Sequence, residues 1–428
     1  MLIYSTHITP RLQYMADFAG KELCGQPFRL TTDKQELTAA QGLRINYSDE
    51  LFPGIYQIRP HALLLEQDIK PQEINFVDGE LPFFFPTDGD HAFDILAASF
   101  YLVSRYEEYL PHPKDVYGRF DHKASLAFNQ HFLHRPLVNE WFSALRVRLN
   151  VTNNRQFTFL PTYDIDIAWS YQHKGWKRNT GGLIRDLLKG QFGRISERLA
   201  VLRGKSQDPF ACYGWLNGLH ETHHLRPYYF FLLAEKTGKL DKNISPDNTA
   251  LKALVADHAI RYPVGIHPSW QSGDTTFLLG KEIQRLYDIT GQPVQASRQH
   301  YIRFSLPETF RLLIENGIRF DFSMGYGTIN GFRASVCTPY NWYDLSREES
   351  TELMLFPFCF MDANSFYEQR DDDATALNEM QRLFAVTKKE KGVCSIIWHN
   401  TFLGTDPLYK GWREVYEIFI RETVANRQ

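Results

Sequence analysis

Cysteine is scarce in this chain: five in 428 residues (Cys24, Cys212, Cys337, Cys359, Cys394), an odd number with no C-x-x-C pair. That excludes a disulfide framework and a structural zinc knot, and reads as reduced, buried thiols of a cytosolic protein. Long apolar runs are missing too. The richest stretches, Ile95 to Val103 and Leu353 to Phe360, are about half the ~18–20 residues that a membrane span requires. Charge of one sign is absent as a whole-chain property. The 47 Lys and Arg stand against 50 Asp and Glu, a formal net charge of -3, which leaves no electrostatic footprint for nucleic acid. Neither G-x-G-x-x-G nor G-x-x-x-x-G-K-[ST] occurs, so Rossmann and phosphate-loop readings fail. The start, MLIYSTHITPRLQYM, lacks the basic residues and apolar core of a secretory leader, and the expected location is the cytoplasm.

What is present is an ordinary globular composition, 43% hydrophobic and 23% charged, long enough for two or three domains at ~150 residues each. Aromatic residues are plentiful and clustered, as in Phe83-Phe84-Phe85 and Tyr228-Tyr229-Phe230-Phe231, enough for a core and for a ring-binding cleft. The chain changes character near Asn150. Before it, strand-like pieces (Leu43 to Tyr47, Ile55 to Ile58, Leu81 to Phe85) lead to a helix from about Phe93 to Leu110, stopped by Pro111 and Pro113. This predicts an N-terminal α+β accessory domain over 1–150.

After Asn150, strand and helix alternate. Strands are expected at Phe157 to Asp166, Arg226 to Leu233, Pro263 to His267, Pro293 to Tyr301, Ile318 to Ser323, Leu353 to Phe360 and Val393 to His399. Seven strands in βα alternation predict a parallel sheet with right-handed crossovers, closed or nearly closed as a distorted seven-stranded (β/α) barrel over 151–428. In such a barrel chemistry sits at the C-terminal strand ends. Here those ends read Asp164-Ile165-Asp166, His267-Pro268-Ser269-Trp270, Arg298-Gln299-His300, Asp321-Phe322-Ser323 and Trp398-His399-Asn400. Strand period two places Asp164 with Asp166, and Arg298 with His300, on common faces. Carboxylates and imidazoles at one mouth suit a divalent metal, zinc foremost, with a surplus carboxylate and histidine as general base and acid.

The series T-Y-D-x-D, I-H-P-S-W, R-x-H, D-x-S and W-H-N resembles the motifs of the polysaccharide deacetylase family, carbohydrate esterase family four, over residues ~155–428. The region before ~150, with Ser104-Arg105-Tyr106-Glu107-Glu108-Tyr109, looks like the accessory domain of one bacterial subgroup of such proteins. The resemblance implies a distorted seven-stranded barrel and metal-dependent amide hydrolysis. It makes Asp164 the base that deprotonates water, Asp166 the first metal ligand and His267 the next, and Arg298 the tether of Asp164. Asp321 would orient the acid, and His399 would protonate the leaving amine. Two departures stand out. Ile165 separates the usual adjacent aspartates, and Gln271 stands where the second histidine of H-[ST]-x-x-H is expected. His300, on the face of Arg298, is the candidate third ligand. Trp270, Tyr326 and Trp398 are candidate sugar contacts, with plain turn chemistry equally open for the Gly325-Tyr326-Gly327 loop.

The implied function is removal of an N-acetyl, or an O-acetyl, group from an amino sugar or intracellular glycan precursor. Two alternatives stay open: a silent glycan-binding module of surface-polysaccharide synthesis, and a hydrolase of small amides. Two other signals compete. His220-Glu221-Thr222-His223-His224 matches H-E-x-x-H, but it lies on a helix feeding the second strand and has no evident third ligand, so a polar helix end is expected. The insertion at about 174–205 carries nine Lys and Arg against Asp186 and Glu197, with apolar residues at helical spacing. It reads as a lid with a solvated basic face, or as a contact for an anionic membrane surface or polysaccharide.

Overall fold

The structure, a computed structural model, describes residues 1–424. The chain opens directly into a strand: Leu2–Ser5, buried at all four positions, forms β1. A helix, Pro10–Cys24, follows. Thr9 accepts from the Leu12 N–H, Pro10 supplies a pre-set first turn, and Gly25 at φ 78 closes the end. With β2 (Arg29–Thr31), β3 (Arg44–Tyr47) and β4 (Tyr56–Gln57), β1 makes a four-stranded parallel sheet in the order β2-β1-β3-β4. Two expectations for this region change. Leu81 to Phe85 is not a strand; only isolated bridges such as Val77 to Phe83 form there, and Phe84 and Phe85 are core. The helix expected over Phe93 to Leu110 is two pieces, Ile95–Val103 and Tyr106–Tyr109, because Arg105 adopts φ 55 between them.

The second sheet has nine strands: β5 (Thr158–Ile165), β6 (Tyr228–Leu232), β7 (Val264–His267), β8 (Ala296–Ser297), β9 (Phe320–Asp321), β10 (Tyr340–Asp344), β11 (Glu349–Leu355), β12 (Phe358–Met361) and β13 (Val393–His399). Their order is β10-β11-β9-β8-β7-β6-β5-β13-β12, parallel throughout except for the β10–β11 hairpin. The count of seven therefore becomes nine. One added strand is β10. The other arises because Leu353 to Phe360 breaks at Phe356-Pro357, where proline has no N–H to give a ladder. The break lets β11 pair with β9 while β12, two residues on, pairs with β13, so the sheet curls until its two ends meet in one stretch of chain. The strand expected at Pro293 to Tyr301 shrinks to Ala296–Ser297, and His300–Ile302 turns into a short 3₁₀ helix.

Inside the curl, Phe230, Ala296 and Phe322 pack with Leu160, Tyr228 and Phe356 as an apolar plug. Gly265 is glycine because the Phe230 ring lies where its Cβ would be, at 2.6 Å. The plug packs on the inner face below the strand ends that carry Asp164, His267 and His399. Burying each phenylalanine contributes about 2–3 kcal/mol.

The two sheets share one continuous apolar core. Buried charges join them as well. Glu108 accepts from Arg333 at 2.5 and 2.8 Å and from Arg105 Nε at 2.6 Å, while Arg105 also reaches Glu107 at 2.7 Å. Burial works against the Glu108 charge, but the two guanidinium groups prevail and hold its pKa at about 2. Arg105, the residue whose left-handed backbone splits the helix, thereby turns its side chain toward the barrel.

Candidate metal centre at the barrel mouth

Asp164 and His399 are partners in the β5–β13 ladder, so their side chains stand together on the inner face. Asp166 lies just beyond β5, His267 ends β7, and Arg298 and His300 follow β8. His267 Nε2 is 3.1 Å from Asp166 Oδ1 and 3.8 Å from Asp164 Oδ2; His300 Nε2 is 3.4 Å from Asp166 Oδ2. Among the described residues, Asp166, His267 and His300 form the one group whose donor atoms all lie within 4.8 Å of each other.

The outer nitrogens decide what the inner ones offer. His267 Nδ1 faces the Arg298 carbonyl, which only accepts, so Nδ1 carries a proton and Nε2 is the nitrogen left for a metal when the ring is neutral. His300 Nδ1 is 3.0 Å from Asp241 Oδ1, with the same consequence when the ring is neutral. Asp166 Oδ1 is buried without an aligned hydrogen bond although two imidazoles face its carboxylate. A carboxylate with one orphaned oxygen, facing two imidazole Nε2 atoms at 3.1 and 3.4 Å, fits a divalent ion that would take the place of the His300 proton.

The remaining groups flank that trio. Arg298 is fully buried and donates through Nη1 to Asp164 Oδ1 at 2.9 Å and through Nε to the Phe322 carbonyl at 3.1 Å. Its guanidinium lies 4.5 Å from the Phe230 ring centre, on the plug. His399 Nε2 is 3.6 Å from Asp166 Oδ2, while its Nδ1 and its backbone N–H both reach Asp362 at 2.6 Å. Burial opposes a charge on the His399 ring, but Asp362, with Asp166 and Asp164 nearby, pushes its pKa up to about 10. His300 behaves alike between Asp166 and Asp241, raised to about 9 against burial. Asp166 sits well below the usual carboxylate range, since the facing imidazoles outweigh its desolvation. Asp166 and His399 are partly exposed, so the mouth is open to solvent.

Three expected roles do not match these positions. Asp321 does not orient His399. Its carboxylate accepts from Ser297 Oγ (2.7 Å), Ser323 Oγ (3.0 Å) and the Ser323 N–H (2.8 Å), and burial pushes it up to about 6. The residue beside His399 is Asp362, at the end of the neighbouring strand β12. Trp398 is fully buried: one residue from His399, it points to the outer face, where it packs on Trp412 and Tyr416. Tyr326 is buried too, under Arg105 and Arg333. Trp270 alone of the three aromatic candidates stays at the rim, edge-on to Tyr301 and Tyr117.

Two residues escaped the sequence reading. Asp362 ends an apolar strand as the others do, but that strand was expected to stop at Phe360. Asp241 lies in a loop with no periodic signal. Gln271, where a second histidine was expected, donates to Asp241 Oδ2 at 3.2 Å, so it supports the carboxylate that holds His300. The H-E-x-x-H stretch forms no metal group. His220 is buried against Tyr163, and His224 falls beyond the helix Tyr213–Thr222 at φ 53.

Comparisons add the following. Residues 1–154 match a family of unknown function, DUF7033. No curated protein matches the chain. Among solved structures, the chain is similar to a candidate polysaccharide deacetylase from Mycobacterium smegmatis (14% identity, 65% of this chain and 87% of that one, TM-score 0.40). It is also similar to a CE4-family pseudoenzyme from Bacillus anthracis (10%, 64% and 63%, 0.34) and to a polysaccharide deacetylase from Bacillus cereus (12%, 63% and 88%, 0.30).

Proposed function

We propose that this protein is a metal-dependent hydrolase that removes an N-acetyl group, or less readily an O-acetyl group, from an amino sugar or glycan precursor. The observation that carries the reading is the Asp166 carboxylate, whose orphaned Oδ1 faces His267 Nε2 and whose Oδ2 faces His300 Nε2, flanked by a carboxylate on one side and an imidazole on the other. Asp166, His267 and His300 would hold the ion, and one carboxylate with two imidazoles suits zinc. When bound, such an ion polarises a carbonyl and lowers the pKa of a water.

The chain's own groups supply the proton traffic. Asp164 takes the proton of the attacking water, since Arg298 fixes its Oδ1 and its Oδ2 lies 3.8 Å from His267 Nε2. His399, kept protonated by Asp362, gives its Nε2 proton to the departing amine. Trp270 at the rim, with Tyr117 and Tyr301, offers an aromatic border for a sugar ring. In this reading 1–150 is an accessory domain, 151–428 the catalytic barrel with an insertion at 174–205, and the substrate is an intracellular precursor.

The test is elemental analysis of the purified protein beside His267→Ala and His300→Ala, followed by acetate release from acetylated amino sugars. About one divalent ion per chain, lost in both variants, with acetate release lost in Asp164→Asn, is the expected outcome. The replacement of the second histidine by Gln271 favours one other reading, a glycan-binding module without turnover. Failure to bind zinc, cobalt or nickel would overturn the hydrolase reading and leave the binding module, to be tested by glycan binding without acetate release.

A further inference from the structure

The insertion folds as two packed helices, Gly175–Leu188 and Phe192–Leu202, joined by a three-residue turn. Inside the pair, Arg198 donates to Asp186 at 2.6 Å and both side chains are buried, which locks one helix on the other. Val201 is buried and Leu183, Ile195 and Leu199 are partly so, but much of the apolar surface is left outside. Trp176 (74% exposed), Ile184 (55%), Leu187 (57%), Leu188 (83%), Phe192 (68%) and Leu202 (44%) all face solvent, a third of the exposed large apolar side chains among the described residues. Trp176, Ile184 and Leu187 follow helical spacing, so they form one stripe along the first helix. The pair also exposes the cations Lys177, Arg185, Lys189, Arg203 and Lys205. Of these, only Arg185 has a carboxylate partner among the described residues.

We propose that this helical pair seats on an anionic lipid surface. Aromatic and branched apolar side chains enter the headgroup boundary, and the flanking lysines and arginines meet lipid phosphates. Charge selects this occupant over others. A second copy of the chain would press cation on cation, and a hydrated polyanion would leave the apolar stripe in water. The position gives the contact a purpose. The insertion follows β5, and its helices rest on loops at the same end of the barrel as the metal centre. Arg178 donates to the carbonyls of Asn243 and Lys242 after β6, and Arg194 pairs with Asp406 after β13. Seated on lipid, the pair would hold the mouth beside the membrane. A lipid-linked acetylated sugar as substrate follows from that, a corollary that rests on the hydrolase reading above.

Flotation of the full-length protein with phosphatidylcholine vesicles, with and without phosphatidylglycerol, tests the contact independently of catalysis. Binding is expected only with the anionic lipid, reduced at least about tenfold in 0.5 M salt and in both Leu187→Glu/Leu188→Glu and Lys177→Glu/Lys189→Glu. Far-UV circular dichroism and metal content should match wild type in both variants. No binding to anionic vesicles, equal binding to neutral ones, or a dimer in sedimentation that Leu187→Glu/Leu188→Glu dissociates, would overturn the proposal. Vesicle binding by a protein without acetate release would leave the contact standing and remove only the corollary.

Discussion

Strand β5 has a histidine neighbourhood on each face, and the two differ in kind. On the inner face, Asp164 and Asp166 meet His267, His300 and His399, each with a carboxylate or carbonyl on its second nitrogen. On the outer face, Tyr163 donates to or accepts from His220 Nε2 at 2.8 Å, within a cluster of Tyr229, His258, Tyr262 and Tyr416. Burial is similar and opposes charge in both. Yet His300 and His399 are raised to about 9 and about 10, while burial lowers His220 to about 3. A phenol stays neutral and cannot offset the desolvation of an imidazolium; a carboxylate can. The same residue type is therefore held charged on one side of a strand and neutral on the other.

Four measurements break or sharpen this contrast. The largest effect belongs to the inner face: Asp164→Asn should lower acetate release by about 10³-fold with an unchanged circular dichroism spectrum. Next, Asp362→Asn should cost about 10–100-fold in rate by releasing the His399 ring, with Asp321→Asn costing less. A larger loss in Asp321→Asn would return the orienting role to that residue.

The outer face predicts stability instead of rate. Folded His220 stays neutral to about pH 3, whereas the unfolded chain takes up the proton near 6.5. Its contribution is thus complete above pH 6.5 and is lost as pH falls toward 3, by about 2 kcal/mol at pH 5. Urea midpoints at pH 7 and pH 5 should show that loss in wild type and a smaller one in His220→Gln. Smallest of all, Tyr326→Phe removes a buried hydroxyl 3.4 Å from Arg105. It should cost no more than about 1 kcal/mol and leave KM unchanged, as expected of a group away from the sugar.

Much of the site was legible because a strand's period of two is rigid. Once Asp164 faces inward, Asp166 and the ladder partner His399 follow, and the terminal positions of β7 and β8 bring His267, Arg298 and His300. The same rule, applied one residue over, would have excluded Trp398. Asp362 was hidden by a strand boundary two residues out, and boundaries are where propensity is weakest. Asp241 and Gln271 were hidden because loop geometry has no period. The N-terminal sheet was read in part: Leu43 to Tyr47 and Ile55 to Ile58 match β3 and β4, while β1 and β2, four and three residues long, were too short for a pattern. The helix Pro10–Cys24 carried Thr-Pro capping at its start but no acidic first turn.

The buried contact of Arg105, Glu107 and Glu108 with Arg333 bears on how this chain can be recombined. A barrel cut free at Asn150 would lose the Glu108 partner of Arg333 and uncover the apolar core it shares with the N-terminal sheet, against the narrow margin by which many proteins stay folded. Such a barrel is no interchangeable cassette. A chimera that borrows a different leader must also bring a glutamate to the same spot, so the two parts would pass through evolution as a single heritable unit.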